Sequence, residues 1–156
     1  MANSQATAVA VKPTIKRQKG VGKKQALSMV VSEQVLEKTM AAMMLASTAA
    51  ASGMEANVFF TFWGLNALKK GFNPKLRGMM SLGTAMMNAK MKKLGIANWL
   101  ELLSMARDAG VNLYACNTTL QLFGFKAEDL LDGIRIVGAA QFLKMASEAS
   151  VQLFIG

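Results

Sequence analysis

Cys116 is the only cysteine in 156 residues. It ends an apolar run of strand character, Val111-Asn112-Leu113-Tyr114-Ala115-Cys116, and polar Asn117, Thr118 and Thr119 follow it. A short helical segment then stops at Gly124. At a strand-to-helix junction the first N–H groups of the helix point outward, and they and the helix dipole favour an anion. A thiolate placed there is stabilised, which lowers the thiol pKa and makes the sulfur a nucleophile. In a parallel α/β sheet the same place is the rim where ligands bind. The competing reading is a buried, inert cysteine, because free Cys is among the most buried residue types. Position alone leaves both open.

Other chemistries fall away quickly. There is no histidine, so His-based acid–base catalysis, Cys–His dyads and His-ligated metals are excluded. One cysteine excludes an intramolecular disulfide and any cysteine-rich metal site, so neither a metal nor another cofactor is expected. Gly20-Val21-Gly22-Lys23-Lys24 lacks the first glycine and the Ser or Thr of a phosphate loop, and it precedes a strand instead of following one.

The formal charge of +9 is concentrated in two stretches. Residues 1–25 hold six basic residues and no acid, and residues 69–93 hold seven more, again with no acid. The rest of the chain is net negative. The first stretch, with Pro13 and no amphipathic period, reads as a flexible tail. No aromatic residue interleaves its charges, so at most nonspecific, salt-sensitive nucleic-acid binding is expected. Ala6 to Val11 is too short for a signal core and precedes the charges, which points to a cytoplasmic protein. Lys69, Lys70, Lys90, Lys92 and Lys93 of the second stretch are candidates for docking an anionic donor or an acidic partner face. A solvated basic surface is the plainer alternative. Met79, Met80, Met86, Met87 and Met91 lie among them, and their expected place is a helix face packed on the core, ahead of a partner-binding surface.

The elements that must position Cys116 alternate. Ala26–Val31 reads as a strand, with Ser32 as N-cap of a helix to about Ser52 whose face is Leu36, Met40, Met43, Met44 and Ser47. Asn57–Phe62 is a second, nearly all-apolar strand, and Trp63 to Gly71 a short helix. Residues 39–63 do not read as a membrane span, because Gly53, Glu55 and Asn57 interrupt them. Leu82 to Leu94 is partly helical. In Ile96–Ala109 the residues Trp99, Leu102, Leu103 and Ala106 follow helical spacing. After the Cys116 strand come a helical turn over 127–131, a strand Ile134–Val137, and a helix with Ala139, Phe142, Leu143 and Ala146 on one face. A last strand, Val151–Ile155, closes the chain. One domain over residues 26–156 is expected: a three-layer α/β sandwich with a mainly parallel five-stranded sheet, in flavodoxin-like order. That order puts a crevice at the ends of the first and third strands. Its rim would be Ser32, Phe62, Trp63, Gly64, Cys116, Asn117, Thr118 and Gly138. Arg135 is awkward for a central strand.

Several stretches match one pattern: Phe59-Phe60-Thr61-Phe62-Trp63-Gly64-Leu65-Asn66-Ala67-Leu68-Lys69-Lys70, then Tyr114-Ala115-Cys116, Gly124-Phe125, Leu131-Asp132-Gly133-Ile134 and Leu153-Phe154-Ile155. With these the chain resembles the DsrE/DsrF-like family of sulfur-relay proteins over residues 26–156. The resemblance implies a small α/β fold assembled as a homotrimer or homohexamer. It also implies a cysteine, matching Cys116, that carries sulfane sulfur as a persulfide or thiosulfonate. The implied partners are TusA-like sulfur carriers and rhodanese-type sulfurtransferases, in sulfur oxidation or in tRNA thiolation. Some relatives have a second cysteine, which this chain lacks.

The expected function is therefore that of a sulfur carrier or sulfurtransferase using Cys116. The alternative is a non-catalytic oligomeric interaction subunit with a silent cysteine. A flavin or nucleotide site is allowed by the fold class but has no phosphate loop to support it.

Overall fold

A computed structural model describes residues 24–156. The expected basic tail thus lies outside the described residues except at its end, where residues 24 and 25 already belong to the first strand. Five strands form the sheet: β1 (Lys24–Val31), β2 (Glu55–Phe60), β3 (Asn112–Cys116), β4 (Arg135–Val137) and β5 (Ala149–Ile155). The five α-helices are α1 (Leu36–Ala51), α2 (Thr84–Lys93), α3 (Trp99–Asp108), α4 (Asn117–Phe123) and α5 (Ala139–Glu148). Two 3₁₀ segments, Phe62–Leu68 and Gly78–Gly83, fill part of the long β2–α2 connection.

Every strand pair is parallel, so all C-terminal strand ends share one edge. The α/β sandwich and its five-stranded parallel sheet are as expected. The order is β4-β3-β2-β1-β5, not the flavodoxin order of 2-1-3-4-5. β2 separates β1 from β3, so no crevice opens between the ends of those two strands. The chain steps outward from β1 to β4 and then returns across the whole sheet to β5. Right-handed crossovers place the outward steps on one face and the return on the other.

The two faces are unequal. Leu27, Met29, Val31, Ala56, Val58, Phe60, Leu113 and Ala115 point into the larger core, under α1 and α3. The alternate residues face α5: Phe59, Tyr114, Cys116 and Val137 gather round Phe142, whose ring stacks on Phe59 at 4.6 Å. Of the expected α5 face only Phe142 is buried, and Leu143 is exposed. Helix α3 turns Trp99, Leu102, Leu103 and Ala106 inward, and a full capping box, Asn98 with Glu101, starts it.

Other expectations need correcting. Helix α1 begins after Val35, not Ser32, and buries Leu36, Thr39, Ala42, Met43 and Ala46, while Met44 stays outside. Small residues on this face let α1 lie close to both sheet and α3. β2 begins and ends two residues earlier than expected, so Phe62 opens a 3₁₀ turn. Most methionines of the basic segment do not pack on the core. Met79 is 92% exposed, Met80, Met86 and Met87 are also exposed, and only Met91 is buried. Helix α2 packs on the 3₁₀ segment before it and stands off the sheet. β4 is an edge strand, which resolves the difficulty of Arg135. Its guanidinium reaches across to donate to Asn112 Oδ1 (3.0 Å) and Tyr114 Oη (3.4 Å).

Candidate functional site

β3 carries Cys116 to the C-terminal edge of the sheet, and α4 starts at the next residue. Cys116 is therefore the N-cap of α4, with extended backbone. An acceptor on an N-cap side chain meets the N–H groups of the second and third helical residues, here Thr118 and Thr119. The Cys116 side chain makes no such cap bond. A thiolate is the better acceptor, and neutral donors surround it.

Two tendencies oppose each other at this sulfur. Cys116 is 6% exposed among Phe59, Tyr114, Val137 and Phe142, and burial, the largest single influence, pushes the thiol pKa up. The Thr119 hydroxyl, the Thr119 N–H, the Thr61 hydroxyl and the Thr118 N–H favour the thiolate, and together they leave the thiol below its ordinary value. All four donors are uncharged.

Thr61 and Thr119 come from elements distant in sequence. Thr61 follows β2 and its N–H donates to Val31 O (3.0 Å). Thr119 lies in the first turn of α4 with its side chain buried. Their hydroxyl oxygens are 3.1 Å apart, and Thr119 Oγ1 also accepts the Phe62 N–H at 3.1 Å. Phe62 is the one non-glycine among the described residues with a left-handed backbone, φ 45°. A left-handed phenylalanine is strained and persists only where its surroundings hold it. Here the Thr119 hydroxyl holds one side. On the other, the Gly64 N–H donates to Ser32 O (2.9 Å), so close to the end of β1 that a Cβ on Gly64 would run into the Val31 carbonyl.

The expected rim residues do share the sheet edge, but as a row along it. Ser32 follows β1, and its N–H and hydroxyl both turn to Ile155 O on β5, away from β3. Gly138 follows Val137, the register partner of Cys116. Asn117 and Thr118 are exposed, and only the backbone of Thr118 serves the sulfur. Phe62 and Trp63 are exposed, Trp63 by 61%. Trp63 leans on Phe123 (5.1 Å), and Phe123 on Phe125 (5.6 Å). The sequence reading passed over Thr61, Thr119 and Phe123. Thr119 had a signal, its place three residues after Cys116 at the start of a helix, while Thr61 had none that is local.

The candidate basic segment is divided. Lys69 Nζ lies 3.9 Å over the Phe125 ring, at the end of the aromatic series that begins at Trp63. Lys70 pairs with exposed Asp132 at 3.6 Å. Lys90, Lys92 and Lys93 end α2. Lys92 lines a groove of about 890 Å³ between α2 and the start of α3, with Asn88, Asn98, Trp99 and Met105, and no rim residue borders it. Among the described residues no group of three or more His, Cys, Asp or Glu side chains could hold a metal ion. No described helix is long and apolar enough to cross a membrane.

Known proteins resemble this chain in sequence and in fold. The model of the DsrE/DsrF/DrsH-like family matches residues 23–78 and 73–154. A protein named sulfur carrier protein DsrE2, from Allochromatium vinosum, is 34% identical over 154 residues, 83% of this chain and 97% of that one. The uncharacterized protein YrkE of Bacillus subtilis is 38% identical over 143 residues, 76% of this chain and 89% of that one. Among solved structures, the ychN protein of E. coli superposes with a TM-score of 0.61 at 17% identity, covering 83% of this chain and 98% of that one. MTH1491 of Methanobacterium thermoautotrophicum, described as of unknown function, superposes with a TM-score of 0.52 at 16% identity, covering 80% and 94%. At such identities these two speak for the fold alone.

Proposed function

This chain belongs to the DsrE/DsrF/DrsH-like family, and from that premise we propose that it is a sulfur carrier or sulfurtransferase that holds sulfane sulfur on Cys116. One observation carries the reading: the single cysteine stands at the C-terminal edge of the sheet with four neutral donors favouring its thiolate. Thiol exchange needs thiolate character, access and a good leaving group, and no histidine.

The exchange balances simply. The Cys116 thiolate attacks the outer sulfur of a donor persulfide, the donor's S–S bond breaks, and the donor leaves as a thiolate. With tetrathionate, thiosulfate leaves and Cys116 keeps a thiosulfonate. An acceptor thiolate on another protein then attacks the outer sulfur and returns Cys116 to the thiolate. No second cysteine is present to intercept the adduct, so it persists until an external thiol arrives. Partners of matching chemistry are a TusA-like carrier and a rhodanese-type sulfurtransferase in the cytoplasm, serving sulfur oxidation or a thiolation relay. The working form is a homotrimer or homohexamer, and light scattering that gives a monomer mass overturns this assembly. Met79, Met80, Met86 and Met87, exposed along with Lys90, Lys92 and Lys93, suit a docking face for an acidic carrier.

Burial of Cys116 favours a second reading, a non-catalytic oligomeric interaction subunit with a silent cysteine. Intact-mass spectrometry decides. Wild type treated with polysulfide or tetrathionate gains sulfur or a thiosulfonate group that a reductant removes, and Cys116→Ser gains nothing. An unmodified wild type leaves the second reading standing.

A further inference from the structure

We infer that β5 is the interface for a second copy of this chain. The two β5 strands pair antiparallel about a two-fold axis at Leu153 and join the two sheets into one. The inference deepens the proposed assembly and rests on it only in that copies meet. Of homotrimer and homohexamer it selects the hexamer, because a ring of three alone has no two-fold axis.

The backbone of β5 leads to it. β5 is an edge strand of seven residues, and among the described residues it pairs with β1 alone. The outer side of such a strand is a row of unpaired N–H and C=O groups, a template for another strand. Edges are commonly blunted by a charge or a proline. Ala149 to Ile155 contains neither. β1 also fixes which groups face outward. Ile155 O accepts the Ser32 N–H at 3.0 Å, so it points inward. Backbone groups alternate sides along an extended strand. Val151 and Leu153 therefore also turn theirs to β1, and Gln152 and Phe154 turn theirs to the open side. In an antiparallel pair of β5 strands, Gln152 of each copy exchanges hydrogen bonds with Phe154 of the other. Between those pairs Leu153 faces Leu153 of the second copy, in the closer, non-hydrogen-bonded position.

The side chains suit the same register. Val151 and Leu153 stand beside Leu27 and Met29 of β1 and extend the face of the larger core, yet they stay 39% and 37% exposed. On the opposite face Phe154 is 70% exposed. Self-pairing lays Leu153 on Leu153 and Val151 on Ile155 along one face, so the strand is its own apolar complement. Charge selects the occupant. Residues 139–156 hold Lys144 and Glu148 and no other charge, so this flank is neutral while the chain carries +9. An acidic partner finds no cation on β5 to hold, and two copies of one charged chain meet there without like-charge repulsion. The pairing also spares the sulfur. Cys116 on β3 lies three strand spacings from β5, about 14 Å. The C-terminal edges of the two sheets point in opposite directions, so each Cys116 is served separately.

The test uses the full chain. Cys116→Ser removes the only thiol, and Leu153→Cys or Gln152→Cys is added to it. Under mild oxidation Leu153→Cys should become mostly a disulfide-linked dimer, because Cα atoms of a non-hydrogen-bonded pair are about 4.5 Å apart. Gln152→Cys, whose twin lies diagonally across at about 7–8 Å, should link poorly. Light scattering on the otherwise wild-type chain with Phe154→Pro, which removes one outward N–H and no bond to β1, should show the mass halved, from hexamer to trimer. Phe154→Lys, which sets a charge on the edge, stands in if the proline variant does not fold. Gln152→Cys linking as well as Leu153→Cys overturns the inference, as does an unchanged mass in the Phe154 variants. A wild-type trimer whose Leu153→Cys form does not link overturns the inference and leaves the trimer standing. A linked dimer in a chain that forms nothing larger upholds the inference and overturns the trimer and hexamer. A wild-type monomer overturns both.

Discussion

A thiol that loses its proton more readily in the folded protein than in the unfolded chain makes stability depend on pH. The unfolded Cys116 titrates at about 8.5, and the folded one lies lower because its hydroxyl and N–H donors outweigh burial. Between the two midpoints the unfolded chain holds more protons, so stability rises with pH across that window and the gain is lost as pH falls through the folded midpoint. Urea titrations of wild type beside Cys116→Ser should show a difference that grows in favour of wild type through this window. Asn57 invites a second test. Buried on the same face, its Oδ1 accepts from Asn112 Nδ2 (3.1 Å) and Tyr114 Oη (3.3 Å). Asn57→Ala should cost about 1–3 kcal/mol of stability, the penalty of unpaired buried polar groups. The place of Cys116 at a strand-to-helix junction was legible from the apolar run before it and the polar residues after it. Its threonines were not, since the Thr61–Thr119 contact joins residues 58 apart and follows from strand adjacency, which no local pattern contains.

Elements were legible where burial imposes a period. Helix α3 has its apolar stripe written in the chain and the stripe formed, although the helix starts at Trp99, behind an Asn98 cap, and not at Ile96. Helix α1 was misjudged in its face because alanine and threonine bury as well as methionine when a neighbouring helix lies close. The methionines of residues 79–87 were misplaced because apolar spacing says nothing about whether a helix meets the sheet. The 3₁₀ segment Phe62–Leu68 depends on a single missing side chain. Gly64→Ala would push its Cβ into backbone at the end of β1. That segment must then shift, with an expected loss of about 1–3 kcal/mol and a displaced Trp63. Thermal melts and the fluorescence of Trp63, the exposed one of two tryptophans, would report both.

At the scale of the molecule, fold class followed from the alternation of strands and helices, and strand order did not. Parallel neighbours are chosen by crossovers and face packing, and β5 could satisfy its apolar pattern at either edge. The overall charge of +9 acts at this scale too. The donors that favour the thiolate are neutral, so salt should leave its intrinsic reactivity alone and screen only the approach of charged reagents. Loading by tetrathionate, a dianion, should slow as ionic strength rises, while alkylation by uncharged iodoacetamide should not. Equal sensitivity of the two reactions would place a charged group at the sulfur itself.

β4 has three residues, lies at the edge of the sheet, and holds Cys116 in register against Val137. Such short margins fray at a small fraction of the global unfolding free energy. A reagent reaching the shielded sulfur by this route would be admitted at a rate set by how often the margin peels back. Amide exchange at Arg135, Ile136 and Val137 should then outpace that at Met29 and Val58 in the sheet interior, and its opening constant should match the one extracted from thiol labelling. Molecules caught with β4 detached would be the ones that turn over.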